Sequence, residues 1–275
     1  MSALDVFLSR SRERVEDALE GALPPAHEPP VALHEAMRYA ALTGGKRLRP
    51  ALAFAAAEAC GGASEAALPV ATAVELVHSY SLVHDDLPAM DDDVERRGMP
   101  TVHVKFGEAV AILTGDALLA LAFEVLAGAP SPCTAELVVS LARASGSRAL
   151  VGGQADDIAL GGPPSLAAIV SIHRRKTAAL FGFALGGGAR SGGGSAAQLE
   201  RIERFAEHYG LAFQAVDDLL DGERSETSLL LVESADAVRR RVEDHVRTAH
   251  ALLRELGPGA QPLAALAEQL VERIR

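Results

Sequence analysis

The protein has 275 residues, of which 49% are hydrophobic, and its formal net charge is −11 at pH 7. This much negative charge argues against a nucleic-acid partner, since binding to the phosphate backbone rests on a basic surface. Two cysteines are too few for a disulfide framework and suit a reducing compartment, so we expect a cytoplasmic protein. The 4% content of aromatic residues and the absence of Trp favour helices over sheets.

The first 21 residues place leucine and valine at helical spacing among charged residues, which predicts an amphipathic helix rather than a signal peptide. Further runs with helical periodicity follow, separated by short segments rich in glycine and proline. These segments are residues 21–30, 60–64, 128–132, 161–165, 186–194 and 257–262. The pattern contains no interdomain linker and no fixed repeat. It predicts an all-α bundle of about ten helices in one domain, residues 1–275.

Two glycine-rich segments resemble nucleotide-binding loops at first sight. In TGGKRLRP (43–50), a Walker A loop would need Gly six residues before the lysine and Ser or Thr after it. Those positions hold Ala40 and Arg47. The second segment, GGGARSGGG (186–194), follows no predicted strand, so we expect a flexible connection between helices there. Both nucleotide interpretations are rejected.

Residues 109–129 are long and apolar enough to cross a bilayer and contain no Lys or Arg. Asp116 and Glu124 would each be costly at bilayer depth. We interpret the segment as a buried helix of the bundle and expect no stable association with a membrane.

Aspartates are concentrated in two stretches. HDDLPAMDDDVERRG (84–98) has five aspartates within residues 85–93, and QAVDDLLDG (214–222) has three more. Apolar helical runs lead directly into both, so the carboxylates lie at helix C-termini, where the macrodipole is already negative. Pro88 should end the first helix, so Asp91 is expected to turn back toward Asp85. In the second stretch, Asp217 and Asp221 are four residues apart and share a helix face, with Asp218 beside them.

Such clustering needs a compensating charge. Two carboxylates about 4 Å apart repel by about 4 kcal/mol at an effective dielectric near 20. A solvated acidic face is the alternative, but it would mix charges at helical spacing. Oxygen ligands without nearby His or Cys favour Mg²⁺, which completes its shell with phosphate and water. The two stretches therefore predict magnesium sites for a phosphorylated substrate.

Basic residues occur at positions suited to such a substrate. The chain has only three lysines; Lys105 we assign to the surface, and the other two stand beside residues that can bind phosphate. Arginine forks match diphosphate oxygens, and lysine serves as a mobile point charge. Any one of these residues taken alone is equally consistent with a surface ion pair or a core histidine. The candidates are Lys46 with Arg47 and Arg49, His78, Arg96, Arg97, and Lys176 with Thr177.

The order of these motifs resembles that of trans-isoprenyl diphosphate synthases. The similarity is closest to bacterial farnesyl diphosphate synthases and their geranylgeranyl relatives, and it covers most of residues 30–222. The motifs that carry it are GGKRLRP, VELVHSYSLVHDDLPAMDDDVERRGMPTVH, GDALL, GGQADD, HRRKTAALF and YGLAFQAVDDLLD.

The resemblance implies an all-α isoprenoid synthase fold around a central cavity, and a homodimer. An allylic diphosphate would be held by three Mg²⁺ ions between the two acidic motifs. The implied metal ligands are Asp85, Asp91, Asp217 and Asp221, supported by Asp86 and Asp218. The implied catalytic residues are Asp85, Asp91, Asp217 and Lys176.

The resemblance also implies a role for each basic residue. Near the allylic diphosphate or the joining chain it places Arg96, Lys176, Thr177 and Gln214, with Gln154 lining the same cavity. To isopentenyl diphosphate it assigns Lys46, Arg49, His78 and Arg97. Departure of the allylic diphosphate would leave a carbocation, which the double bond of isopentenyl diphosphate attacks. The released diphosphate would remove the final proton.

Product length in this family would be set below the first motif, at Tyr80 with its neighbour Ser81. Tyr80 precedes Asp85 by five residues, about 7.5 Å along a helix. A tyrosine there resembles the fifteen-carbon synthases, which predicts farnesyl diphosphate. The alternatives are an ordinary core role for Tyr80 and a geranylgeranyl diphosphate synthase.

The sequence departs from the family after Asp221. Family members have a basic, glycine-bearing lid ending in a Lys-x-Thr-Tyr-like motif, whereas here Gly222 is followed directly by ERSETSLLLVESADAV. If Thr227 matches the Thr of that motif, Ser225 stands in place of the Lys. The shorter lid leaves open a non-catalytic regulatory subunit. A class I terpene cyclase is a third hypothesis, but the second motif, DDLLD, argues against it.

Overall fold

The computed structural model describes residues 2–222 and 227–274, and it confirms the all-α bundle. A π-helical segment spans His173–Ala178, and short 3₁₀ turns lie at Ser64–Ala67, Leu229–Leu231, Arg254–Leu256 and Pro258–Ala260. The α-helices of the described residues are α1 (Ala3–Ala22), α2 (Val31–Leu42), α3 (Leu48–Ala59), α4 (Leu68–Asp85), α5 (Val102–Phe106), α6 (Glu108–Ala127), α7 (Thr134–Ser145), α8 (Leu150–Ile158), α9 (Leu166–Ile172), α10 (Ala179–Ser191), α11 (Ala196–Asp221), α12 (Ala235–Leu253) and α13 (Gln261–Glu272).

The amphipathic first helix is confirmed. The Ser2 hydroxyl accepts from the Asp5 backbone N–H at 3.1 Å, and the Asp5 carboxylate accepts from the Ser2 N–H at 2.7 Å. This reciprocal capping satisfies two N–H groups at the start of the helix. Phe7, Val15 and Leu19 lie on the buried face of α1. That face packs the helix against α3 and α4.

Close packing of α3 against α10 explains one error of the sequence analysis. The predicted flexible connection at 186–194 is wrong, because α10 continues to Ser191. A Cβ atom added to Gly188 would lie 2.1 Å from the Ala53 carbonyl oxygen, and one added to Gly192 would lie 2.7 Å from the Ala57 carbonyl oxygen. Glycine at these two positions lets the backbones touch, so here glycine serves packing rather than flexibility.

Two helical stretches are long and apolar enough to cross a membrane by length and composition, Ser64–Asp85 and Glu108–Ala127. The first is mostly buried and forms part of the core, as α4 requires with its nearly continuous apolar sequence. In the second, only 33% of the apolar window is buried. The expected burial of this helix, α6, therefore holds for one face, while Ile112 and Leu113 are exposed on the other.

A two-residue hairpin follows the first acidic motif. Strand β1 (Glu95–Arg96) pairs antiparallel with β2 (Met99–Pro100). The two turn residues, Arg97 and Gly98, have positive φ angles of 58° and 78°, the combination that a type I′ turn requires. The tight turn fixes the positions of both arginines of the motif ERRG.

Candidate active site

The first acidic motif begins where α4 ends. The helix stops at Asp85, and the backbone N–H of Asp91 donates to the Asp85 carbonyl oxygen at 2.9 Å. The loop therefore turns back on itself after Pro88, as the sequence predicts. This turn brings the two candidate metal ligands of the motif into one small region.

The electrostatics of this region are unfavourable for bare carboxylates. Burial raises the pKa of Asp85 to about 6, and the negative charges of Asp91 and Asp86 add to the rise. The positive charge of Lys176 opposes the shift. The pKa of Asp91 is also raised by burial, again against the effect of Lys176. The charge of Lys176 therefore acts on both carboxylates.

Asp86 has a different role from its neighbours. Its buried carboxylate accepts from the Arg96 guanidinium, with Nε at 2.7 Å and Nη2 at 2.6 Å. Arg96 also contacts Asp93 at 3.1 Å. In this structure Arg96, which the resemblance places near the allylic diphosphate, ties the hairpin to the end of α4. Asp86 thus supports the motif through this ion pair.

The second acidic motif occupies the last two turns of α11. Burial raises the pKa of Asp217, and the nearby charge of Asp221 raises it further. Arg273 donates to Asp217 Oδ1 at 3.0 Å. Asp218 turns inward instead: its Oδ2 accepts from the Leu229 N–H at 2.8 Å. Asp221 is exposed at the helix end, and Gly222 ends α11 with a positive φ of 71°.

The π-helical segment His173–Ala178 lies between the two motifs. The Lys176 ammonium donates to Asp157 Oδ2 at 2.5 Å, and the Thr177 hydroxyl donates to Gln214 Oε1 at 2.9 Å. Gln214 Nε2 in turn donates to Asp218 Oδ1 at 3.2 Å. Two adjacent residues thus serve different motifs: the charge of Lys176 acts on the first acidic motif, and Thr177 binds Gln214 of the second. A π-bulge is a frequent feature of functional sites.

Gly153, in the GGQADD motif of α8, allows this helix and the π-helical segment to approach each other closely. A Cβ atom on Gly153 would lie 2.4 Å from the backbone nitrogen of Lys176, which is too short for any contact. Next to it, both amide atoms of Gln154 are buried and have no hydrogen-bond partner among the described residues. An amide without partners at this position is able to meet a ligand.

A cavity of about 1160 Å³ adjoins the second motif. It is lined by all four residues that the resemblance assigns to isopentenyl diphosphate, together with Asp217 and residues of α1, α4, α11 and α13. Arg49 stacks 4.6 Å above the Phe181 ring, and Arg97 donates to the Gly44 carbonyl oxygen at 2.9 Å. The four residues are Lys46, Arg49, His78 and Arg97.

Positively charged side chains predominate in the lining of this cavity. Burial holds the pKa of His78 well below its usual value, and the charge of Arg49 lowers it further. His78 is therefore neutral at pH 7 and able to donate one ring N–H. Burial also lowers the pKa of Arg49, while the carboxylates of Glu75 and Asp217 favour its charged form.

The predicted length-determining residue lies in the core below the first motif. Tyr80 is 5% exposed, and its hydroxyl has no hydrogen-bond partner among the described residues. Burial, aided by the charge of Asp85, raises the pKa of Tyr80 to about 12. Its ring meets His84 edge-on at 5.8 Å. The Ser81 hydroxyl donates to the His78 carbonyl oxygen in its own helix.

The fit of the site to magnesium depends on its donors. Over residues 2–222 and 227–274, no group of three His, Cys, Asp or Glu side chains is arranged to hold a metal ion. Asp85 and Asp91 nevertheless offer only oxygen donors, and the burial that raises the pKa of each would be offset by a bound cation. Mg²⁺ usually takes one or two carboxylates and completes its shell with water and substrate phosphates. The donor set fits an ion that a diphosphate helps to hold.

The polyprenyl synthetase family model matches residues 30–231. This chain belongs to the polyprenyl synthetase family. The matched range includes both acidic motifs, the π-helical segment and the segment containing Thr227.

Individual relatives of this polyprenyl synthetase are similar in sequence, and a solved structure among them is also similar in fold. A crystal structure of an FPP/GFPP synthase from Zymomonas mobilis superposes with a TM-score of 0.90 at 41% identity, covering 98% of each chain. A geranylgeranyl diphosphate synthase of Cyanophora paradoxa is 38% identical, with 97% of this chain and 95% of that protein aligned. The large subunit 1 of a heterodimeric geranylgeranyl pyrophosphate synthase of Arabidopsis thaliana is 46% identical over 81% of this chain.

The chain spans about 62% of the length of that Arabidopsis protein. Two further Arabidopsis relatives, geranylgeranyl pyrophosphate synthase 7 and the heterodimeric large subunit 2, are matched over 63% and 61% of their lengths.

Several residues of this polyprenyl synthetase escaped the sequence analysis. Arg273 contacts Asp217 across 56 positions of sequence, which no local pattern signals. His173 contacts the Thr227 carbonyl oxygen at 2.9 Å and lies 3.9 Å from Asp218. Asp157, the partner of Lys176, lies in the GGQADD motif, in which only Gln154 was assigned a role from the sequence. Ser225, the residue expected to replace the lid lysine, lies outside the described residues.

Proposed function

We propose that this protein is a Mg²⁺-dependent short-chain prenyltransferase that joins an allylic diphosphate to isopentenyl diphosphate and yields farnesyl diphosphate. One observation carries the proposal: Lys176, whose charge acts on Asp85 and Asp91, adjoins Thr177, which binds Gln214 of the second motif. Membership of the polyprenyl synthetase family supports the reaction class.

The residues divide the work between two diphosphates. Asp85, Asp91, Asp217 and Asp221 would hold magnesium, which supplies positive charge for the departing diphosphate; three ions remain the expected number. Lys176, Thr177, Gln154 and Gln214 would orient the allylic substrate, and Arg96 would act through its contact with Asp86. Lys46, Arg49, His78 and Arg97 would bind isopentenyl diphosphate in the cationic cavity. Their fixed positions would place the acceptor double bond before charge develops.

The proposed product is farnesyl diphosphate. Curated relatives are named geranylgeranyl synthases, and a similar solved structure is described as an FPP/GFPP synthase. The buried ring of Tyr80, five residues before Asp85, supports the fifteen-carbon product. The test is product analysis by chain length, with isopentenyl diphosphate, Mg²⁺ and dimethylallyl, geranyl or farnesyl diphosphate as starter. If the main product has twenty carbons, the protein is a geranylgeranyl diphosphate synthase and not a farnesyl diphosphate synthase.

The metal assignment has its own test. Asp85→Asn preserves the shape of the side chain but removes the charge, so turnover should fall by at least a thousand-fold. Asp244→Asn, at an exposed aspartate of α12, is the matched control and should retain full activity. Undiminished turnover in Asp85→Asn would remove Asp85 from the metal site.

A second candidate function is a regulatory subunit that binds prenyl diphosphates without elongating them. Two observations favour it: the segment after Asp221 is short, and two relatives are named as large subunits of heterodimeric synthases. Activity of the isolated chain separates the two functions. Full turnover without a partner excludes the regulatory role.

Self-association is part of the proposal as well. The outward face of α6 carries exposed Ile112 and Leu113. Of the two helical stretches apolar enough to cross a membrane, the one that forms α6 is the less buried. A homodimer that covers this face would remove the apolar surface from water. Sedimentation at micromolar concentration tests it, and Leu113→Glu should shift the protein toward monomer. A cytoplasmic location and the lack of nucleic-acid or stable membrane partners remain predictions.

A further inference from the structure

A buried ion pair lies at the floor of the cationic cavity, between the residues proposed to bind isopentenyl diphosphate. Arg47 Nη1 donates to Glu75 Oε1 at 2.6 Å, and Nη2 donates to the Ala41 carbonyl oxygen at 2.8 Å. The two side chains of the pair are only 2% and 4% exposed. Glu16 approaches the same guanidinium at 3.6 Å. Both residues of the pair line the cavity.

The backbone at Arg47 is held in an unfavourable conformation. Its φ of 49° and ψ of 37° place it in the left-handed region, immediately before α3. Residues other than glycine rarely adopt this region, because Cβ crowds the following carbonyl group. The contacts of the buried guanidinium explain how the conformation persists. The backbone bends at Arg47, between Lys46 and Arg49. The side chains of these two neighbours both line the cavity.

Glu75 connects this loop to α4. It precedes His78 by three residues on that helix, so the two share a face, and both line the cavity. The Glu75 carboxylate also favours the charged forms of Arg49 and Arg97, opposing the effect of burial on the pKa of each. The Glu75 carboxylate thus stabilises the positive charges of Arg47, Arg49 and Arg97.

We propose that Arg47 and Glu75 are positioning residues for isopentenyl diphosphate: their ion pair fixes the loop of Lys46 and Arg49 against the helix that carries His78. The inference rests on the proposed function. Arg47 is not itself assigned to the diphosphate, since its side chain is only 2% exposed and its guanidinium is held by Glu75 and the Ala41 carbonyl oxygen. The pair acts by placing the residues that bind.

Steady-state kinetics with two varied substrates provides the test. Glu75→Gln keeps the size of the side chain but removes its negative charge, and Arg47→Lys keeps the positive charge but removes the forked donors, so each weakens the pair. The KM for isopentenyl diphosphate should rise at least ten-fold, whereas kcat and the KM for the allylic diphosphate stay within about three-fold. A fall in kcat alone, or an equal rise in both KM values, would overturn the assignment. Arg10→Lys, at an exposed ion pair with Glu58, is the matched control and should change nothing.

The double variant shows whether the two residues act as one unit. Arg47→Lys/Glu75→Gln should raise the KM for isopentenyl diphosphate no more than the worse single variant, because the interaction is already lost. Multiplicative effects would mean separate roles and contradict the proposal. Circular dichroism verifies folding. If the single variants do not fold, Glu16→Gln disturbs the guanidinium more gently and should raise the same KM by about five-fold; an unchanged KM would overturn the inference.

The two proposals fail differently. An unmodified protein that forms no elongated product with Mg²⁺ removes the proposed function, whatever the variants do. An active protein whose KM for isopentenyl diphosphate is the same in Glu75→Gln removes only the positioning role.

Discussion

Arg273 in the last turn of the chain donates to Asp217 Oδ1 at 3.0 Å, which joins the C-terminal end of the fold to the second acidic motif. The guanidinium also lies over the Phe213 ring at 5.7 Å. The ion pair is about 30% exposed on each side. Arg273 therefore neutralises a carboxylate that the proposed function assigns to magnesium.

Removing this arginine should make magnesium easier to bind. A partly exposed ion pair contributes about 0.5–1 kcal/mol, so Arg273→Gln should lower the Mg²⁺ concentration for half-maximal activity by about two- to five-fold. Magnesium titration of initial rates measures the effect. Arg247→Gln, which removes a highly exposed arginine, is the control. A higher Mg²⁺ requirement in Arg273→Gln would show that the arginine assists the metal site.

Gly153 should tolerate no side chain. In Gly153→Ala the new Cβ would meet the backbone of Lys176 at 2.4 Å, so α8 and the π-helical segment must move apart. We expect a loss of about 1–3 kcal/mol in the free energy of unfolding, with a drop in kcat as Lys176 shifts. Urea unfolding and initial rates measure the two effects.

Gly182 provides the matched control, since no atom lies within 4 Å of a Cβ added there. Gly182→Ala sits inside α10 and should raise the free energy of unfolding by about 0.5–1 kcal/mol. Equal stability of the two alanine variants would contradict the close approach at Gly153.

Shortening Tyr80 should lengthen the product. In Tyr80→Ala the buried ring below the first motif is removed, and the space can hold further isoprene units. We expect the main product to shift from fifteen to twenty or more carbons, with turnover of the first condensation retained. Chromatography of the dephosphorylated products measures the distribution. An unchanged distribution would assign Tyr80 to core packing alone.

The histidine pair between α11 and α12 predicts acid sensitivity. His208 Nδ1 and His245 Nδ1 lie 2.9 Å apart, and burial together with the charge of His208 lowers the pKa of His245 to about 4. Between the unfolded value near 6.5 and this folded value, only the unfolded chain takes up the proton. Stability is therefore complete above about pH 6.5 and declines as the pH falls toward 4.

The full shift corresponds to about 3 kcal/mol, which solvent screening at this half-buried site reduces to about 1–2 kcal/mol. Urea unfolding at pH 7.5 and pH 5 should show a smaller acid loss in His245→Asn than in the unmodified protein. His27→Asn, at an exposed histidine, should leave the pH dependence unchanged. An identical acid loss in His245→Asn would exclude the pair as its source.

Local chemistry in the sequence was sufficient for much of the fold and for the acidic motifs. Apolar periodicity predicted the bundle, Pro88 predicted the turn that brings Asp91 back to Asp85, and Gly222 predicted the end of α11. These features depend on residues a few positions apart. The roles carried over by resemblance remain predictions, although the structure brings Lys46, Arg49, His78 and Arg97 to one cavity.

Contacts between distant segments were decided only by the tertiary structure. Sequence spacing could not show that Arg273 reaches Asp217, nor that Arg47 is buried on Glu75. It also misjudged Gly186–Gly194, because glycine permits both a flexible loop and a close approach of two helices. At Gly188 the glycine serves close packing, because the Ala53 backbone lies too near to leave room for a side chain. Periodicity records which face of a helix is apolar, whereas the partner of that face depends on how the whole chain packs.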